Sequence, residues 1–143
     1  MNNHGFFALR PDVEARHKLG MLSFLVGIDI DDLADFHVTL MYDVNNTETN
    51  DIVKPNTRYE AKVVRAALLK TSLVLILESE TMDTRYQQLK DIGKISAYEN
   101  FDPHVTIVPD YGTQAQVDAL NEWLSGREEI LVFGNEYSQI CED

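Results

Sequence analysis

One tetrapeptide occurs twice in this chain, almost unchanged. His37-Val38-Thr39-Leu40 and His104-Val105-Thr106-Ile107 both read His-Val-Thr-aliphatic, 67 residues apart (104 − 37) in a chain of 143. Each lies in a β-favouring stretch and predicts a strand. Side chains at i and i+2 of a strand share a face. His37 and Thr39 therefore point one way, as do His104 and Thr106, while Val38, Leu40, Val105 and Ile107 point the other way, into a core. A fold using both repeats must keep two polar faces out of its core, one from each half of the chain. If a pseudo-twofold axis relates the halves, two imidazoles and two hydroxyls converge on one small volume across a groove.

That volume suits a phosphodiester. A neutral histidine takes a proton from the attacking oxygen, and a protonated one gives a proton to the leaving oxygen. Histidine populates both forms near neutral pH. Each threonine hydroxyl can donate to a non-bridging phosphate oxygen. The scheme needs no metal and no cofactor. The seven glycines form no Gly-x-Gly-x-x-Gly pattern, which argues against nucleotide-triphosphate chemistry.

The charge narrows the substrate. With 24 acidic and 12 basic residues the formal charge is −12, so a basic face for coating long RNA or DNA is not expected. A small anionic ligand held by a few local groups fits. A chain of 143 residues is the size of one domain, read here as spanning 1–143. It needs no disulfide or metal staple. Cys141 is the only cysteine, which excludes a disulfide framework or a cysteine zinc site and favours a reducing, cytoplasmic setting. Met1-Asn2-Asn3-His4 lacks the basic segment of a signal peptide. The longest apolar run, Leu73 to Leu77, is far too short to span a membrane.

Periodicity and turn residues predict a strand over 5–9 and a helix from Pro11-Asp12 to about Val26. An acidic turn over 28–35, a strand over 36–42 and a polar loop over 43–56 come next. Strands over 58–70 and 72–78 meet at a hairpin, then comes a helix over 81–95 whose capping signal is weak. A strand over 101–108, a helix over 113–124 and a strand or strand pair over 130–140, broken at Gly134-Asn135, complete the chain. The fold class is α+β, mainly antiparallel, with strand-helix-strand at both ends suggesting internal pseudo-symmetry.

The paired motifs, with Pro103 just before the second histidine in Phe-Asp-Pro-His-Val-Thr-Ile, resemble the signature of the two-histidine (2H) phosphoesterase superfamily. The element order is similar to that superfamily's bilobal fold, which implies two pseudo-symmetric lobes with helices on the outside. The opening Gly5-Phe6-Phe7-Ala8-Leu9-Arg10-Pro11 and the closing Phe133-Gly134-Asn135-Glu136-Tyr137-Ser138 look similar to the phage anti-CBASS enzymes. That resemblance implies a metal-independent phosphodiesterase with His37, Thr39, His104 and Thr106 as its catalytic set. Its substrates would be cyclic di- or trinucleotide immune messengers, cut at 3′-5′ bonds in the host cytoplasm. Hydrolysis of RNA 2′,3′-cyclic phosphates or of 2′-5′ linkages is the rival within the superfamily. A nucleotide sponge that binds without cutting is the rival outside it.

Other residues have weaker claims. Phe7, Tyr42 and Tyr111 are aromatics near strand ends that could stack a nucleobase. Glu136, on the last strand, could accept hydrogen bonds from a base edge or orient a histidine. His4 and His17 have no companion motif. Asp29, Asp31, Asp32 and Asp35 lack the spacing of a calcium loop and read as a solvated acidic loop.

Overall fold

The structure, a computed structural model, describes residues 4–28, 35–44 and 52–141. The acidic stretch with Asp29, Asp31 and Asp32 lies outside the described residues, as does 45–51 of the polar loop. The elements run β1 (His4–Pro11), α1 (Val13–Leu25), β2 (Val38–Asp43), β3 (Tyr59–Leu69), β4 (Ser72–Glu78), α2 (Glu80–Asp91), β5 (His104–Val108), α3 (Gln114–Leu124) and β6 (Ile130–Cys141).

Local chemistry accounts for the boundaries. In β3, Tyr59, Ala61 and Val63 are buried while Glu60, Lys62 and Val64 are exposed, the period of two that a half-buried strand requires. Leu69 pairs with Ser72, so Lys70 and Thr71 alone turn the hairpin, with Lys70 at φ 55. Pro11 ends β1 rather than opening α1. Asp12 caps that helix, its Oδ1 accepting from Ala15 N at 2.8 Å. The second helix is capped after all, by Ser79, which accepts from Met82 N. Thr113 and Gln116 form a reciprocal capping box on α3. β6 is one strand, because a bulge at Asn135-Glu136 opposite Leu9 bends it without breaking it, with Asn135 at φ 49.

All strand pairings are antiparallel, and the ring closes in the order β1-β2-β5-β4-β3-β6. A single hydrophobic cluster joins strand residues such as Leu9, Val38, Leu75, Val105 and Phe133 to Leu19, Met82 and Leu120 of the helices. The expected α+β, antiparallel class is found, with all six strands in one closed barrel. Its strand order is unchanged when β1, β2 and β3 are exchanged with β4, β5 and β6. The unit matching β1-α1-β2 is therefore β4-α2-β5, not the terminal strand-helix-strand, and α3 has no counterpart. The reason is pairing: β5 sits between β2 and β4, whereas β6 sits between β1 and β3.

Candidate active site

The two motif strands touch at one point. Val38 pairs with Val105, and no other register pair joins β2 to β5. In an antiparallel pair, one step either side sets Thr39 opposite His104 and His37 opposite Thr106, all four on one face. The four are half-buried, while Val38 and Val105 are fully buried beneath them. The histidines are diagonal neighbours, which in a regular ladder stand about 7–8 Å apart. Histidines from opposite halves of the chain thus lie side by side, His104 opening β5 and His37 one residue before β2, although a strand from residue 36 was expected there.

The fourth motif residue has its own role. Leu40 has no partner between the pairs Ala8↔Thr39 and Phe7↔Met41. Ile107 has none between Val74↔Thr106 and Leu73↔Val108. Both aliphatics are buried bulge residues, three positions after their histidine. A bulge reverses the facing of the residues after it. It brings Tyr42 to the face of His37 and Thr39, which simple alternation would deny it.

Each imidazole is anchored in the same way. His104 Nδ1 lies 2.9 Å from the carbonyl oxygen of Asp102, and His37 Nδ1 lies 3.3 Å from that of Asp35. A carbonyl only accepts, so Nδ1 carries the hydrogen, and in the neutral ring Nε2 is left as the acceptor. The Asp35 carboxylate also stands 3.7 Å from His37 Nδ1. The repeat therefore begins two residues earlier than the tetrapeptide, as Asp-x-His-Val-Thr-aliphatic. The tetrapeptide alone does not reveal this, although Asp35 and Asp102 show the same 67-residue offset (102 − 35).

Beyond Thr39 and His104 the strands diverge and a groove of about 600 Å³ opens. Residues 95–97 clip its edge to the end of β2, with Ala97 N donating to Tyr42 O at 2.7 Å and Val44 N to Ile95 O at 3.0 Å. Tyr42 and Tyr98 meet edge to face at 5.6 Å, and Tyr86 stacks on Phe101 at 4.7 Å; all four line the groove. Arg65 of β3 lines it too. Of these, only Tyr42 was singled out from the sequence.

Residues 28–140, well over half of the chain, match the family model of anti-CBASS protein Acb1. The chain belongs to the Acb1 family. The matched stretch contains both motifs and every groove residue named above, and the family carries an anti-CBASS role. A comparison with curated proteins found no match.

Three residues proposed from sequence as substrate contacts lie elsewhere in this Acb1-family fold. Phe7 is 1% exposed and packs in the core, because the β1 register turns its neighbour Phe6 to the groove face, against Tyr42 and Tyr137. Glu136 is 2% exposed and takes a two-pronged contact from Arg85, Nε at 2.8 Å and Nη2 at 2.9 Å, with Lys54 N donating at 2.8 Å. Both of its carboxylate oxygens are engaged by the protein. Its hydrogen bond and charge hold Arg85 above the usual arginine pKa. Burial, aided by the Glu136 carboxylate, pushes the Tyr59 phenol up to about 12. Tyr111 is 85% exposed in the turn after β5 and does not line the groove. Among the described residues no three His, Cys, Asp or Glu side chains gather as a metal site, and no helix is long and apolar enough to cross a membrane.

Proposed function

We propose that this Acb1-family protein is a two-histidine phosphodiesterase that cuts 3′-5′ bonds of cyclic di- and trinucleotide messengers, acting against CBASS in the host cytoplasm. One observation carries the reading. Two imidazoles, one just before β2 and one at the start of β5, are both tied through Nδ1 to a backbone carbonyl, and each flanks the single pair Val38↔Val105 that joins the two motifs. Both Nε2 atoms are then left for chemistry. The exchange symmetry of the strand order supports membership of the bilobal 2H superfamily.

In the first step a neutral imidazole takes the proton of a ribose 2′-hydroxyl through Nε2. The 2′ oxygen bonds to phosphorus, and the bond to the 5′ oxygen breaks. The other imidazole, protonated, delivers its Nε2 hydrogen to that oxygen. The product is a 2′,3′-cyclic phosphate. Water opens it in the second step, with the two histidines exchanging roles. Thr39 and Thr106 donate to the non-bridging oxygens as charge builds on them. Acid, base and oxyanion donors all come from the chain, so the reaction is metal-independent. Tyr42 and Tyr98 offer rings on which a base of the substrate stacks.

Purified protein incubated with cyclic GMP-AMP and excess EDTA should yield linear products by mass spectrometry. A 2′-deoxy analogue should resist. RNA 2′,3′-cyclic ends and 2′-5′ oligonucleotides should turn over more slowly. Recovery of intact ligand after binding, or a strict need for a divalent metal, would overturn the proposal.

A further inference from the structure

The geometry points to Arg65 as the anchor for a second phosphate, one that is not being cut; this rests on the function proposed above and makes its substrate more specific. Three observations lead there, and the first is orientation. Tyr59, Ala61 and Val63 of β3 face the core, and strict alternation would send Arg65 after them. Val64 has no partner between Val63↔Leu77 and Arg65↔Ile76, and this bulge puts Arg65 in phase with Ile76 instead. Ile76 in turn pairs with His104. Arg65 thus shares the groove face with the catalytic set.

Availability is the second observation. Arg65 is exposed, and its guanidinium makes no hydrogen bond or ion pair with any described residue. It lines the groove together with two acidic residues, Glu99 and Asp102. A guanidinium held on a groove face in a chain of net charge −12 is suited to an anion, and its planar fork matches a phosphate.

The third is spacing. From β5 to β3 is two strand steps, about 10 Å, and from β2 it is three. The scissile phosphorus must lie where both Nε2 atoms reach it, beside Val38 and Val105. Arg65 is off to one side of that point, with the apolar Ile76 between. A substrate that uses both places carries a phosphate at each, with its sugar or base over Ile76. Cyclic di- and trinucleotides have that form, whereas a nucleoside 2′,3′-cyclic monophosphate has only the reacting phosphate.

The test is calorimetric binding in a His37→Ala background, with cyclic GMP-AMP and a nucleoside 2′,3′-cyclic monophosphate as probes. Arg65→Gln should weaken cyclic GMP-AMP binding by about ten-fold or more and leave the monophosphate within two-fold. Arg65→Lys, which keeps the charge, should recover most of the loss; a base-stacking role would not be recovered by lysine. Circular dichroism confirms that the variants fold. Equal weakening of both probes would assign Arg65 to the scissile phosphate and overturn the inference. No weakening of either would also overturn it, while leaving the phosphodiesterase reading intact. Absence of cyclic GMP-AMP binding with Arg65 present would sink both, and cleavage of cyclic GMP-AMP by the unaltered protein is the independent check on that reading.

Discussion

Asp35-Phe36-His37-Val38-Thr39-Leu40 on the approach to β2 and Asp102-Pro103-His104-Val105-Thr106-Ile107 on β5 hold matching atoms. Each has an Nδ1 bound to a carbonyl two residues back, a valine in the core and a bulge at the aliphatic. Their surroundings differ. Thr39 and His104 border the groove with its aromatics and Arg65, and His37 and Thr106 do not. The motif is duplicated, but the described groove lies on one side only. The proposed chemistry needs two equivalent proton carriers that swap roles, and the two like-built motifs would supply them. Recognition of the proposed substrate needs a directional surface, and the unsymmetrical segment before β5, which lines the groove, would supply it.

The most severe trial of this likeness is to remove the histidines one at a time. His37→Ala and His104→Ala should each lower kcat by about 10²–10⁴-fold, and the double variant should be little worse than either. Steady-state rates on cyclic GMP-AMP check this. A variant that loses ten-fold or less would mean that one histidine only binds.

A second matched pair shows the same division. β3 and β6 exchange places under the same symmetry, and both carry a bulge, at Val64 and at Asn135-Glu136. The bulge in β3 turns a charge toward the groove, whereas the charge at the β6 bulge is buried against Arg85. Glu136 is therefore structural. Glu136→Gln should cost about 3–5 kcal/mol in denaturant unfolding, because it strands a buried guanidinium. Turnover per folded molecule should stay within about two-fold. A selective rise in KM with unchanged stability would return Glu136 to the substrate.

The Tyr59 phenol packs close to that pair, and its Oη has no hydrogen-bond partner among the described residues. Its pKa is raised to about 12, first by burial and then by the Glu136 charge. The unfolded chain loses this proton near pH 10 and the folded chain only near 12. Between those values the unfolded state binds fewer protons, so stability falls as pH rises, by about 2–3 kcal/mol. That contribution is fully present below pH 10. Thermal melts from pH 9 to 12 should show the fall, and Tyr59→Phe should reduce it while costing less than about 1 kcal/mol at neutral pH.

Much of this was legible in the sequence. Alternation and turn residues located the elements, and the doubled His-x-Thr located the four catalytic candidates. What escaped has a physical cause in each case. Arg65 follows Tyr59, Ala61 and Val63 in strict phase, and only the bulge at Val64 takes it off their core-facing side. Phe6 and Phe7 are identical neighbours, and periodicity cannot say which one faces inward. Tyr98 and Phe101 lie outside the regular elements and carry no period. Glu136 finds its partner 51 residues away on a helix, and no local pattern encodes that. The closure of the ring depends on β5 inserting between β2 and β4, a non-local pairing that strand-by-strand reading cannot order.

The smallest effects concern the aromatics beyond each motif, and they ask whether recognition is as lopsided as the groove. Tyr42, carried to the groove face by the Leu40 bulge, touches both Phe6 and Tyr98. Tyr111, beyond Thr106, stands free in solvent at φ 61. If a base stacks on the β2 side, Tyr42→Ala should raise KM for cyclic GMP-AMP by an amount equivalent to about 1–3 kcal/mol, with kcat little changed. Tyr111→Ala should leave both constants within about two-fold. Removing Tyr42 also loosens its neighbours, so Tyr98→Ala provides the companion measurement; Tyr98 is exposed, and its loss should act through KM alone. Comparable effects at Tyr42 and Tyr111 would mean that substrate reaches across both motif strands, and that the one-sided groove is not the whole recognition surface.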